Sequence, residues 1–265
     1  MNEEKSSFMD QLFTEPVYSD SPQTEALFLK ALQEELIFHY EHNDMYRQFC
    51  NRKGFDPHAE LNDIKQIPPV AVSVFKNLGY GLASVPKEDI KLRLQSSATS
   101  GTPSTVVVDK ITSKRQAKAM VKVMQEFIGK DRKPFLVMDI DPRSEFRSLL
   151  GARFAAITGY LNFASKSGFF LKAKNGVSYF DIDAIKEYLT TIPSDQPVVV
   201  FGFTYIMYSN VLKAILAKGE KIQLPKGSKI IHIGGWKKLE AEKVEKSLFN
   251  QQLADGFGIE PTDVI

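Results

Sequence analysis

A loop rich in hydroxyl groups is the first feature of this sequence that could do chemistry. Six of the nine residues in the segment 96–104 are serine or threonine, and Gly101 lies among them. Hydroxyls and main-chain amides can hold a phosphate, and a glycine lets the backbone approach it closely. The loop is not a P-loop, because it lacks the Gly-Lys-Ser/Thr ending and a following helix. A surface hairpin without a ligand is the alternative.

A second glycine-bearing turn follows the apolar segment 229–233. It contains two glycines, the only tryptophan of the chain and two cations, namely Gly234, Gly235, Trp236, Lys237 and Lys238. The glycines would let a planar ring approach the backbone, and a lysine could face an anion. The end of a buried parallel strand is also where ligands bind in open α/β sheets. A tight turn with Trp236 as a packing residue is the alternative. Together the two loops suggest a nucleotide.

Three further groups of polar residues and one aromatic segment have ordinary structural interpretations. His39 and His42 could approach a metal ion, but no third strong ligand is fixed near them, and we predict no metal site. Cys50 lies between arginines and could accept an acyl group, although a structural thiol is the simpler interpretation. Asp139 and Asp141 resemble a carboxylate pair but fit a turn and helix cap better. The aromatic residues of segment 201–205 fit either an acyl pocket or core packing.

Helices and strands must position these loops. Helical spacing of apolar residues predicts helices over about 22–52, 113–128, 146–163, 182–189, 205–217 and 238–253. After the double proline at 68–69, segments 69–76 and 91–95 follow, with an alternation that suggests a strand. Apolar segments predict further strands at 105–109, 135–138, 197–201 and 230–233, with a hairpin over 169–180 turning at Asn175-Gly176. Buried strands separated by helices predict an α/β class with a mainly parallel sheet and flanking helices.

Composition excludes several classes of protein. The chain has 265 residues, of which 43% are hydrophobic and 25% are charged, as in ordinary globular proteins. Interspersed charges with a net +2 give no field that would favour nucleic acid. One cysteine excludes an internal disulfide and suggests a reducing compartment. Because no long uncharged apolar segment is present, we expect an untargeted cytoplasmic protein without a membrane span.

The residues quoted above resemble a known family. Segment 96–104 is similar to the phosphate loop of adenylate-forming enzymes, commonly written Ser-Ser-Gly-Thr-Ser-Gly-x-Pro-Ser. Together with Ile-Pro-Pro at 67–69, Val-Phe-Lys at 74–76 and His-Ile-Gly-Gly-Trp-Lys-Lys at 232–238, it makes the chain most similar to the acyl-protein synthetase (LuxE) family. That family is close to phenylacetate-CoA ligases. The resemblance extends from roughly Leu36 to the end of the chain. Helical spacing before the change of character at 67–69 predicts a helical region at 1–66. For 67–265 the resemblance implies an α/β nucleotide-binding region of the type found in the N-terminal domain of adenylate-forming enzymes.

The resemblance also implies a chemistry. Ser97, Thr99, Ser100, Gly101 and Thr102 would surround the phosphates of ATP, and Gly234, Gly235 and Trp236 would line the adenine pocket, with Lys237 beside them. A fatty-acid carboxylate would attack the α-phosphate of Mg²⁺-bound ATP to give acyl-AMP, and the acyl group would pass to a cysteine thiol of a protein. Such chemistry needs positioned donors and a metal. An acyl reductase or an acyl carrier would be the partner.

The sequence departs from the family pattern at two places. Ala98 stands where the loop usually has glycine, and the chain stops at Ile265, where the family continues with a Tyr-Gly-x-Thr-Glu segment. We therefore expect only the N-terminal part of such an enzyme, which alone binds nucleotide weakly and does not complete acyl transfer. An acyl-CoA ligase of the phenylacetate type and a non-catalytic nucleotide-binding or scaffold module are the alternatives.

Overall fold

A computed structural model describes residues 7–95, 103–150, 153–174 and 177–265 of the chain. Contacts between Cα atoms divide the chain into two compact units, Met1–Glu126 and Phe127–Ile265. The division into a helical region 1–66 and an α/β region 67–265 stays a proposal about domain organisation.

The first unit is mainly helical and ends in a hairpin and a long helix. Its helices are α1 (Phe8–Leu12), α2 (Pro22–His42), α3 (Asp44–Lys53), α4 (Val74–Asn77) and α5 (Lys110–Ile128), the last two residues of α5 belonging to the second unit. Its strands are β1 (Ile90–Gln95) and β2 (Thr105–Asp109). Short 3-10 turns occur at Ile64–Gln66, Gly79–Leu82 and Lys87–Asp89.

Asn43 interrupts the helix that the sequence predicted over 22–52. Its backbone is extended, and its side-chain oxygen accepts a hydrogen bond from the N–H of Tyr46, which caps α3. The amide nitrogen of Asn43 donates to the carbonyls of Gly81 and Ala83, each at 3.0 Å. Asparagine competes with helical hydrogen bonding in this way, so one predicted helix becomes two. Gly54 ends α3 in a left-handed conformation, as a glycine just after an apolar helical pattern indicates.

Strands β1 and β2 form an antiparallel pair on either side of the hydroxyl-rich loop. Gln95 pairs with Thr105, the last pair before the loop. The sequence predicted both strands. Segment 69–76, by contrast, contains no strand, and α4 begins within it.

The second unit is built on a parallel sheet of four strands in the order β4-β3-β7-β8. Their bounds are β3 (Lys133–Val137), β4 (Ala164–Phe169), β7 (Val199–Phe203) and β8 (Lys229–Ile233), and β5 (Leu171–Lys174) with β6 (Val177–Phe180) forms a separate antiparallel hairpin. The inner strands β3 and β7 are almost wholly buried, which explains their continuous apolar sequences. The predicted α/β class with a mainly parallel sheet is confirmed.

Helices connect and cover these strands. They are α6 (Arg153–Tyr160), α7 (Ile182–Thr190), α8 (Thr204–Ile206), α9 (Lys213–Lys218) and α10 (Lys246–Phe257). A π-helical turn, Met207–Leu212, joins α8 to α9. 3-10 turns occur at Glu145–Leu150, Leu161–Phe163, Lys237–Glu242 and Pro261–Asp263.

Three predictions about this unit were wrong in detail. The helix predicted over 146–163 is divided into α6 and two 3-10 turns. The strand β4 was not predicted because its polar residues, such as Ser165 and Lys166, do not form the apolar pattern of a buried strand. Polar residues are compatible with its position at the edge of the sheet. The helix predicted over 238–253 begins only at Lys246, after the 3-10 turn that follows Trp236.

Candidate nucleotide site

The carboxyl ends of the two neighbouring strands β7 and β8 lie side by side. Phe203, the last residue of β7, pairs with Ile233, the last residue of β8. Thr204 therefore follows one strand directly opposite the place where Gly234 follows the other. Because ligands of open parallel sheets bind beyond the carboxyl ends of the strands, this edge is the position expected for a small-molecule site.

The two glycines after β8 form an exposed turn. Gly234 has φ +80°, a backbone conformation that glycine adopts more readily than other residues. A Cβ placed on Gly235 would meet no atom of the described residues within 4 Å, so the space beside it is open in this part of the chain. A planar ring could therefore approach the main chain at Gly235.

Trp236 anchors the turn. Its indole is only 8% exposed, and it lies 4.9 Å from the ring of Tyr208 and 5.5 Å from the ring of Phe249. Such aromatic contacts stabilise a turn beyond the area that they bury. The structure thus gives Trp236 the packing role that the sequence left open, and contact with adenine stays a prediction for this residue.

Thr204 and His232 are site residues that sequence reasoning missed. The buried hydroxyl of Thr204 lies 2.9 Å from Nδ1 of His232, 2.9 Å from the carbonyl oxygen of Gly234 and 3.2 Å from that of Ile233. Burial lowers the pKa of His232, and the nearby charge of Lys246 lowers it further, against a hydrogen bond with Asn250 that raises it. A polar residue directly after an apolar strand was the available signal for Thr204.

An ion pair lies at the carboxyl end of β3 in the same sheet. The carboxylate of Asp139 is fully buried and accepts hydrogen bonds from Nε and Nη2 of Arg153, at 2.7 and 3.1 Å. The third contact of this guanidinium is the hydroxyl of Tyr205, at 2.7 Å from Nη1. Burial opposes the charge of Arg153, but the hydrogen bonds and charge of Asp139 outweigh it and raise the pKa of Arg153. Asp139 is therefore a structural carboxylate, whereas Asp141 forms the predicted turn with Arg143.

The phosphate contacts were predicted for a segment that the structure does not describe. Ser97, Thr99, Ser100, Gly101 and Thr102 lie outside the described residues, and so does the side chain of Lys237. Their predicted contacts with ATP stay predictions.

The first unit contains the histidines and the cysteine that were considered for metal binding and acyl transfer. Nδ1 of His39 lies 2.6 Å from the hydroxyl of Ser84, and Nδ1 of His42 lies 2.8 Å from the carbonyl oxygen of Phe38. Cys50 is buried, and burial raises the pKa of its thiol. Within the described residues there is no group of three or more His, Cys, Asp or Glu side chains that could hold a metal ion. Nor does any helix in the part of the chain that the structure describes have the length and apolar character to cross a membrane.

Solved structures share this fold. The chain superposes on 2-hydroxyisobutyryl-CoA ligase in its postadenylation state with 2-HIB-AMP, with a TM-score of 0.61 at 14% identity, over 92% of this chain and 48% of that one. For the same enzyme with 2-HIB-AMP and CoA, the TM-score is 0.61 at 15% identity, over 94% of this chain and 49% of that one.

Sequence comparison points to one family. The long-chain-fatty-acid–luciferin-component ligase of Vibrio harveyi is 26% identical over 236 residues, which are 86% of this chain and 58% of that protein. The enzyme of the same name from Aliivibrio fischeri is 25% identical over 243 residues, which are 89% of this chain and 60% of that protein. The chain thus spans less than two thirds of the length of these curated relatives. The profile of the family described as acyl-protein synthetase, LuxE, matches residues 3–265. Since this match covers nearly the whole chain, the protein belongs to the LuxE acyl-protein synthetase family.

Proposed function

We propose that this chain carries the nucleotide-binding part of an ATP-dependent ligase that activates a long-chain fatty acid. The observation that carries the proposal is the open turn at Gly234 and Gly235, which lies at the carboxyl edge of a parallel sheet in a member of the LuxE family. The names of the curated relatives support a fatty acid as the substrate.

In the proposed reaction a carboxylate oxygen of the acid attacks the α-phosphorus of ATP, and pyrophosphate leaves as acyl-AMP forms. A protein cysteine thiol then attacks the acyl carbon, releasing AMP and the thiol proton as the thioester forms. Neither step requires a covalent bond to the residues described here. Their part is to bind and orient the nucleotide, which is a main source of rate in such reactions.

Two observations support a contact between adenine and the turn at Gly234 and Gly235. The side of Gly235 is open, and the turn is held in place by the buried indole of Trp236. A Mg²⁺ ion would neutralise the phosphates, but within the described residues no carboxylate cluster is present to hold it. We therefore assign the adenine contact to Gly234 and Gly235 and propose the hydroxyl-rich loop, including Ser97, Thr99, Ser100, Gly101 and Thr102, as the phosphate contact.

Calorimetry with ATP tests the binding half of the proposal. We expect saturable binding of ATP to this chain and weaker binding of GTP, since the proposed contact is to the base. The protein that contains this chain should release pyrophosphate from ATP when a long-chain fatty acid is added. Transfer to a protein thiol or to CoA as acceptor distinguishes an acyl-protein synthetase from an acyl-CoA ligase. Failure of the chain to bind ATP at millimolar concentration would overturn the proposal.

A further inference from the structure

The carbonyl of Gly234 is directed into the protein and not toward the open space of the turn. Its oxygen lies 2.9 Å from the hydroxyl of Thr204, a residue that is 4% exposed. The peptide bond between Gly234 and Gly235 is trans. In a planar trans peptide the C=O and the following N–H point in opposite directions. The N–H of Gly235 therefore points away from Thr204, toward the outer side of the turn.

The N–H of Gly235 is the donor that this geometry turns outward. Among the described residues, no backbone or side-chain oxygen accepts a hydrogen bond from it. Gly235 is exposed, and no described atom lies within 4 Å of the place where a side chain would begin. A fixed donor beside an open space suits a planar ligand that carries an acceptor atom at its edge.

His232 completes the set of hydrogen bonds that fixes this geometry. A hydroxyl has one hydrogen, so Thr204 can donate to the carbonyl of Gly234 only if the imidazole donates to Thr204. The contact of Nδ1 with Thr204, at 2.9 Å, is shorter than the contact of Nε2 with Oδ1 of Asn250, at 3.4 Å. Carbonyl oxygens only accept, so the contacts of Thr204 with the carbonyls of Gly234 and Ile233 require its hydroxyl as the donor, and Nδ1 of His232 then carries a proton. His232 then donates to Thr204, and Thr204 donates to Gly234.

We propose that Thr204 is a positioning residue for nucleotide recognition, which holds the Gly234 carbonyl inward and thereby presents the Gly235 N–H to a ring nitrogen of the purine base. The inference rests on the proposed function, because it takes the ligand of this turn to be a nucleotide. It adds Thr204, the first residue of α8. This residue follows β7, whereas the turn that it orients follows β8. Thr204 itself does not touch the ligand.

Three variants separate positioning from stability. Thr204→Val keeps the shape of the side chain and removes the hydroxyl, whereas Thr204→Ser keeps the hydroxyl. Ser228→Ala is the matched control, since Ser228 is also buried and its hydroxyl ties β7 to β8 at the amino end of the strands, accepting from the N–H of Val198 at 3.0 Å and donating to the carbonyl of Pro225 at 2.7 Å. All three are compared with the wild type by ATP calorimetry and thermal unfolding.

We expect Thr204→Val to weaken ATP binding about tenfold, the ratio that corresponds to one hydrogen bond. Thr204→Ser should restore affinity to within about threefold of the wild type, since the hydroxyl is retained. Ser228→Ala should lower the melting temperature as Thr204→Val does and leave ATP affinity unchanged. Equal weakening by Ser228→Ala would show a general loss of stability and overturn the inference.

Selective ¹⁵N labelling of glycine adds a direct signature. In the wild type, ATP should move the amide proton resonance of Gly235 downfield, and in Thr204→Val this shift should be much smaller. Gly235→Ala identifies the resonance by its disappearance. If the wild type binds ATP but the Gly235 resonance does not respond, or if Thr204→Val binds as tightly as the wild type, the inference fails and the proposed function stands. If the wild type does not bind ATP, the proposed function fails and the inference fails with it.

Discussion

Asp139 and Arg153 form a bidentate ion pair that is buried at the carboxyl end of β3, with side-chain exposures of 1% and 16%. The guanidinium continues to the hydroxyl of Tyr205, which follows β7. The pair therefore connects the ends of the two inner strands. On the other side of β7, Thr204 connects the same strand to the turn after β8.

The first prediction compares two aspartates that lie two residues apart. Asp139→Asn leaves the charge of Arg153 buried without its counterion, which typically costs about 3–5 kcal/mol of unfolding free energy. Asp141→Asn removes the counterion of Arg143, whose side chain is 74% exposed, and exposed pairs contribute about 0–1 kcal/mol. Urea unfolding measures both. Similar losses in the two variants would contradict the structural role of Asp139.

The second prediction uses the different surroundings of the two glycines. Gly235→Val should fold like the wild type, because no atom that the structure describes lies within 4 Å of the new Cβ. It should nevertheless abolish ATP binding by filling the open side of the turn. Gly234→Ala should instead cost about 1 kcal/mol of stability, since its φ is +80°. Calorimetry and thermal unfolding distinguish the two effects. Undiminished ATP binding by Gly235→Val would place the base elsewhere.

Much of the second unit could be predicted from sequence because its signals are local. The apolar sequences of β3, β7 and β8 require burial on both faces, and that requirement fixes a parallel sheet with helices around it. Gly129 and Gly219 follow the apolar helical patterns of α5 and α9, and each has the positive φ that is typical of a glycine at a helix end. The strand β4 lacked such a signal, since its place at the sheet edge depends on pairing with β3 and not on its own side chains.

Only part of the candidate site could be predicted from the sequence. Gly234 and Gly235 were predicted because they are adjacent glycines that directly follow a predicted strand. Thr204 and His232 are 28 residues apart, and their contact with each other exists only because β7 and β8 are neighbours. The break at Asn43 was hidden for the same reason, because the carbonyls that its side chain contacts belong to a distant segment of the chain.

The third prediction concerns pH. Burial, the largest cause, lowers the pKa of His232 below its ordinary value of 6.5. The unfolded chain then binds this proton more readily than the folded chain, so the free energy of unfolding should fall as the pH decreases below about 6.5 and level off below the folded pKa. His232→Asn should flatten this dependence. Burial also lowers the pKa of His39, so His39→Asn should remove a further part of the pH dependence of the unfolding free energy.

Denaturant unfolding between about pH 5 and 8 measures this slope. The quantity to compare is the change of unfolding free energy with pH and not its absolute value, because loss of the His232 side chain also removes its contact with Thr204. A slope identical in wild type and His232→Asn would show that the imidazole is protonated equally in the folded and unfolded chains.

The last prediction addresses the hydroxyl-rich loop between β1 and β2. Replacing Thr99 and Ser100 together with alanine should remove two donors to a charged ligand, each worth about 1.5–3 kcal/mol before compensation. The affinity for ATP should therefore fall at least about a hundredfold. Since neither residue belongs to β1 or β2, thermal stability should change little.

A matched control for this double variant removes the same two kinds of hydroxyl elsewhere. Thr190 and Ser194 are exposed, on the last turn of α7 and in the segment that follows it. Thr190→Ala combined with Ser194→Ala should leave ATP affinity unchanged. Adenosine, which lacks phosphates, should bind the wild type and the Thr99/Ser100 variant equally, because its contact is to the turn at Gly235. A loss of ATP affinity with an equal loss of adenosine affinity would show that the loop acts on the base and not on the phosphates, and unchanged ATP affinity would remove the loop from the site.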